Sequence, residues 1–157
     1  DASFAELYRN RRVILTPLPG TDPAATAQVQ AMGEACGAEV TQMAVDHHDE
    51  VLAATSHLPH LLAYGLVDSL ARLRENDEIF RYAAGGFRDF TRIASSHPIM
   101  WRDICLANRQ ALGQMLARFQ RELAELAAHV ERGDGEALLG VFERAKAARD
   151  RYVGRQG

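Results

Sequence analysis

Cysteine is scarce in this chain. Cys36 and Cys105 are its two thiols, far apart and without metal-type spacing. A chain of 157 residues can fill one hydrophobic core without covalent staples, so a disulfide framework is excluded and each thiol reads as a small buried hydrophobe. Positive charge is not in excess either. A formal net charge of −3 leaves no basic face to displace counterions, which argues against nucleic acid as a partner. No apolar run approaches the roughly 20 residues that would cross a bilayer, so no membrane partner is expected. The opening Asp1-Ala2-Ser3-Phe4-Ala5-Glu6 has neither a basic n-region nor an apolar h-region, and a reducing cytoplasm is the expected setting. The chain also starts without Met and in a loop-like stretch, which reads as a piece of a longer protein.

Two catalytic signatures are missing as well. No G-x-G-x-x-G occurs to cradle a pyrophosphate, and no G-x-S-x-G elbow presents a nucleophile.

What is present follows two grammars. Arg12-Val13-Ile14-Leu15-Thr16-Pro17-Leu18 is a short apolar, β-branched run that reads as a buried strand closed by prolines. Thr21-Asp22-Pro23 supplies an N-cap with Pro just inside, opening a helix over about 24–35 that ends at Gly37. A second strand follows over 38–43. One strand–helix–strand unit cannot cover a parallel sheet alone, so it reads as the tail of a doubly wound domain.

From Asp46 onward the period is helical. Leu52, Thr55, Leu58, Leu62, Leu66, Leu70 and Leu73 step by three or four along one face. A second long helix is expected from Pro98 to Val130, broken by Gly133-Asp134-Gly135 before a last helix. The stretch 76–96 between the two reads as irregular. The apolar stripes exceed the needs of a lone helix hairpin and suit a bundle shared by two chains. The expected class is therefore mainly α, an all-helical domain over 46–157 preceded by a short α/β remnant over 1–45.

Two constellations could carry chemistry. In Ala54-Thr55-Ser56-His57-Leu58-Pro59-His60, Pro59 falls inside a helical pattern, where it costs ~3 kcal/mol unless compensated and frees backbone groups. A functional site here stands evenly against two satisfied histidines lying under a loop, while metal ligation by His47, His48, Asp49, His57 and His60 is disfavoured because Pro59 interrupts the turn and no Cys completes a set. In Gly85-Gly86-Phe87-Arg88-Asp89-Phe90-Thr91-Arg92, two arginines stand one helical turn apart beside paired glycines. Arg92 is the better anion ligand, because its fork matches a carboxylate, while Arg88 pairs with Asp89 or solvent. From the residues alone surface salt bridging is the leading reading of this stretch, with an anion site of unassigned substrate as the other.

Three motifs taken together, Ser56-His57-Leu58-Pro59-His60, Gly85-Gly86-Phe87-Arg88-Asp89-Phe90-Thr91-Arg92-Ile93-Ala94 and His97-Pro98-Ile99-Met100-Trp101-Arg102-Asp103-Ile104, resemble the prephenate/arogenate (cyclohexadienyl) dehydrogenase family in order and spacing. Arg12-Val13-Ile14-Leu15-Thr16-Pro17 resembles that family's strand before its helical domain, so the likeness covers essentially the whole chain. The resemblance implies an N-terminal Rossmann domain coupled to a C-terminal helical domain that dimerises. It implies oxidative decarboxylation of prephenate or arogenate with NAD or NADP on the route to tyrosine. It further implies that Arg92 grips a substrate carboxylate, that His60 and Gly85 face the pocket, and that Trp101 reaches into the neighbouring subunit's site. The family's catalytic His and its cofactor turn have no match here, so no catalytic residue and no bound cofactor are expected of this chain alone. Nor is a regulatory domain expected after Tyr152. A non-catalytic helical dimerisation or regulatory module on the same scaffold is the other reading.

Overall fold

A computed structural model describes residues 4–153. Strand β1 (Arg12–Leu15) and strand β2 (Glu39–Gln42) pair in parallel, Arg12 opposite Glu39 and Leu15 opposite Gln42. Helix α1 (Pro23–Ala35) makes the crossover between them. The side chain of Asp22 caps it by accepting from the Ala24 N–H at 2.9 Å, and Pro23 supplies the pre-set φ of a first helical residue. Gly37, at φ +85°, turns the chain from α1 into β2, a conformation closed to most side chains. Both strands are shorter than expected, and beyond the end of β1 Pro17 and Pro19 bring no N–H to a ladder. Cys36 is exposed, contrary to the expectation of a buried thiol. It caps the C-terminus of α1, a helix with no buried residue, where nothing in the described residues covers it. Cys105 is partly buried, and both thiols are free.

The remaining described elements are helical. Helix α2 (Val45–Leu52) runs into a wide π turn (Ala53–His57) and on into α3 (Leu58–Ala71). The wide turn is the physical answer to Pro59. The Leu58 N–H reaches back five residues to the Ala53 carbonyl, and Pro59 then stands at the start of α3, where a missing N–H costs little. The simple kink expected there is thus a one-residue insertion in the helix.

The segment read as irregular is made of short helices: α4 (Asn76–Arg81), α5 (Gly85–Thr91) and a 3₁₀ turn (Arg92–Ser95). Their brevity, with paired glycines at the head of α5, leaves too few periods for an apolar pattern to show. The long helix expected from Pro98 is also two elements, α6 (Pro98–Ala107) and α7 (Arg109–Arg132), separated at Asn108, whose φ −100° and ψ 31° are not helical. Helix α8 (Gly135–Val153) follows the break at Gly133, φ +64°. The mainly α class with a small α/β remnant is what the fold shows.

By compactness the chain divides inside α7, into a unit ending at Leu112 and a unit beginning at Gly113. In the first unit Ala53, Leu58, Ala63, Trp101 and Leu112 are buried, and Asn108 is buried with them. In the second, the α7–α8 turn is tied locally: the Asp134 carboxylate accepts from the Ala137 N–H at 3.1 Å and faces His129 at 3.4 Å. These contacts hold the Asp134 carboxyl below its ordinary range, the helix N–H of Ala137 first among them. Leu123, Val130, Leu139 and Phe142 remain at least half exposed in that unit. Among the described residues no helix is long and apolar enough to cross a membrane.

Candidate functional site

The π turn sets the geometry of the first constellation. His60, in the first turn of α3, lays its ring flat on the indole of Trp101 from α6, with centroids 3.5 Å apart and planes 17° from parallel. His57, within the π turn, meets the same indole edge-on at 6.3 Å and 73°. Trp101 is 8% exposed, and its Nε1–H is buried without an acceptor. A buried unpaired donor is uncommon in folded proteins, and here it belongs to the ring that His60 covers. Trp101 was expected to reach into a neighbouring subunit. In this fold it is packed against its own chain's histidines.

Hydrogen bonds fix both imidazoles. His60 Nδ1 lies 2.9 Å from the Ser56 carbonyl, which can only accept, so Nδ1 carries the proton. His57 Nδ1 lies 3.1 Å from Asn108 Nδ2. Burial is the main influence on His57 and lowers its pKa, favouring the neutral ring. The nearby His48 ring pairs with Asp49 at 3.0 Å. No group of three or more His, Cys, Asp or Glu side chains among the described residues is placed to share a metal ion.

The second constellation lies on α5 and the 3₁₀ turn, which pack along α3. Tyr64 of α3 donates its hydroxyl to the Ser96 carbonyl at 2.6 Å, tying the end of that segment to the helix that bears His60. Thr91 Oγ1 donates to the Phe87 carbonyl at 2.7 Å, and Phe87 packs on Phe80 with ring centroids 6.0 Å apart. Arg92 opens the 3₁₀ turn, exposed, with no side-chain hydrogen bond or ion pair among the described residues. Of the two partners the sequence allowed for Arg88, Asp89 or solvent, the exposed side chain makes no ion pair with Asp89. Gly85 opens α5, and a Cβ there would meet no atom within 4 Å, so the space above it is free. The structure therefore joins His60 and Trp101 in one stack. It sets Gly85 and Arg92 on a segment braced against α3, without direct contact to either ring.

Sequence reasoning missed Asn108, Tyr64 and the Asp49 carbonyl. Asn108 left a signal: it lies four residues after Ile104 and four before Leu112, a polar side chain at an apolar step of the stripe. Nothing comparable marked Tyr64.

Residues 44–144 match the family model described as prephenate dehydrogenase, dimerization domain. The chain is 42% identical over 151 residues to the cyclohexadienyl dehydrogenase of Zymomonas mobilis, covering 95% of this chain and 52% of that protein. It is 38% identical over 148 residues to the prephenate dehydrogenase of Bacillus subtilis, covering 92% and 39% respectively. Among solved structures, prephenate dehydrogenase from Aquifex aeolicus in complex with hydroxyphenyl propionate and NAD+ matches with a TM-score of 0.87 at 39% identity, over 94% of this chain and 52% of that one. Synechocystis arogenate dehydrogenase matches with a TM-score of 0.83 at 25% identity, over 94% and 54%. The chain spans about half the length, or less, of these curated relatives.

Proposed function

The chain belongs to the prephenate dehydrogenase family, and we propose that within its full protein it is the substrate-binding and subunit-joining part of an NAD(P)-dependent dehydrogenase acting on prephenate or arogenate. The observation that carries this reading is the His60–Trp101 stack, set at a π turn on the helix against which the Arg92 segment packs, with Arg92 unpaired among the described residues. An exposed arginine on a segment packed against the helix that bears the stack offers what a ring-bearing dicarboxylate needs, a two-pronged cation with a flat apolar surface on the same helix.

Each residue then has a role. Arg92 takes a substrate carboxylate and fixes its orientation, which lowers the entropy cost of reaching a reactive pose. His60, with its proton committed to Ser56, presents Nε2 as an acceptor to the pocket. Gly85 leaves room for close approach. Trp101 forms the apolar wall under His60.

The nicotinamide cofactor, NAD or NADP, supplies the hydride acceptor from outside this chain. Within the strand–helix–strand unit its pyrophosphate does not fit at the head of α1. The N-terminus of α1 is already occupied by the Asp22 carboxylate, which would repel a phosphate there. No step beyond holding the substrate is assigned to these residues. The division into a nucleotide-domain remnant over 1–45 and a helical domain over 46–157 is part of the same proposal, as are a cytoplasmic setting and a homodimer. The half-exposed Leu123, Val130, Leu139 and Phe142 support the homodimer.

The test is a steady-state assay of the full-length protein with prephenate and arogenate, each with NAD+ and NADP+. Reduced cofactor should accumulate with at least one pair. Absence of turnover with all four pairs would contradict the reading.

A further inference from the structure

Asn108 is the buried polar residue of the first unit, and it stands where α6 ends and α7 begins. Its side-chain amide makes two bonds to distant parts of the chain. Nδ2 donates to the Asp49 carbonyl at 2.8 Å, 59 residues away, and lies 3.1 Å from His57 Nδ1, 51 residues away.

The orientation of that amide follows from chemistry. Reversing it would set the Asn108 oxygen against the Asp49 carbonyl, two acceptors face to face. The nitrogen must therefore point at both partners, and its two hydrogens serve one each. His57 Nδ1 is then an acceptor, so its proton sits on Nε2. His60 is the opposite case, since the Ser56 carbonyl requires the proton on its Nδ1. The two histidines flanking Trp101 are thus held in opposite tautomers, His57 with Nε2–H as donor and His60 with Nε2 as acceptor.

We propose that Asn108 is a positioning residue for the substrate site, holding His57 in the Nε2–H tautomer so that the His57–Trp101–His60 group presents one donor and one acceptor in fixed places. This rests on the functional reading above, because the group matters only if substrate lies against it. Asn108 acts through His57 and the indole. The charged or titratable groups that face His57 are Asp49, which favours its cation, and His48 and His60, which oppose it. A protonated His57 would turn an N–H toward the Asn108 amide hydrogen, so the hydrogen bond and the burial work in the same direction.

The experiment uses full-length protein labelled with ¹⁵N-histidine. Long-range proton–nitrogen spectra at pH 7.5 report the protonated nitrogen of each ring, with His57→Gln and His60→Gln used for assignment. The wild-type protein should show His57 protonated on Nε2 and His60 on Nδ1. A His57 ring protonated on Nδ1, or on both nitrogens, overturns the proposal. Asn108→Asp keeps the shape and replaces the donor by an acceptor, so the His57 proton should move to Nδ1 or the ring should become cationic, with the acid limb of kcat/KM moved to higher pH. His57 unchanged in that variant overturns the proposal, and it remains decisive if Asn108→Ala does not fold. Where Asn108→Ala folds, KM should rise roughly tenfold with kcat changed much less. An unchanged KM in an enzyme whose wild type turns over substrate sinks this inference and leaves the functional reading standing. A wild type without turnover sinks the reading, while the spectra still decide the tautomers.

Discussion

Replacing Tyr64 by Phe removes one oxygen from the brace between α3 and the segment that carries Arg92. The Tyr64 hydroxyl donates to the Ser96 carbonyl at 2.6 Å across 32 residues of sequence, so the bond is tertiary and short. The ring keeps its shape in the variant, so no cavity opens and the transfer of apolar surface is unchanged. What remains is the net worth of one neutral hydrogen bond, about 1 kcal/mol. Both residues are partly exposed, which lets water reach the freed carbonyl and keeps the loss from growing to the ~3 kcal/mol of a sealed, orphaned group. With an m value of about 2–3 kcal/mol/M in urea, the unfolding midpoint should fall by roughly 0.3–0.5 M. Urea titration followed by far-ultraviolet circular dichroism reads this directly. Tyr82→Phe, at a tyrosine 74% exposed, serves as the control and should not move the midpoint. In the same variant KM for substrate should rise a few-fold while kcat holds, since the loosened element presents Arg92 and does no chemistry. A Tyr64→Phe protein with an unmoved midpoint and KM would refute the claim that this bond braces the site.

Three further outcomes follow from the same structure. Burial lowers the pKa of His57, so the folded chain resists its protonation and loses stability as pH falls below the ordinary histidine value toward the lowered one. His57→Gln should flatten that limb of a stability–pH curve, and an unaltered slope would count against it. Pro59→Ala should change stability by less than about 1 kcal/mol, because the π turn has already relieved the ~3 kcal/mol that proline costs inside a regular helix. A gain of 2 kcal/mol or more in urea unfolding would show that strain persists there. Phe142→Glu places a charge on the exposed apolar face of α8, and light scattering at micromolar concentration should show dimer giving way to monomer. An unshifted mass would remove that face from the interface.

Legibility from sequence tracked how each feature is encoded. The strand–helix–strand unit was plain because Pro17, Asp22-Pro23 and Gly37 are local signals whose effects do not wait for tertiary contacts. The break at Asn108 was hidden by an apolar stripe that continues at helical spacing through Ile104 and Leu112, so periodicity read one helix where there are two. Pro59 advertised a disturbance, but its form depends on the neighbouring helices. A kink and a π turn satisfy the same local sequence, and only packing chooses between them. Helices α4 and α5, at 6 and 7 residues, are too short for a hydrophobic period to register. For the site, the pairing of His60 with Trp101 is a contact between residues 41 positions apart, which no local pattern specifies. The role of Asn108 was out of reach for the same reason, since both of its partners lie on α2 and the π turn.

On the proposed function, Arg92 holds a carboxylate of the substrate. The most direct measurement is KM for prephenate or arogenate, whichever is turned over, in full-length protein carrying Arg92→Ala. Loss of a charge-assisted, two-pronged bond worth about 1.5–3 kcal/mol should raise KM by roughly 10- to 150-fold, with Arg92→Lys in between. A KM equal to that of the wild type would contradict the account.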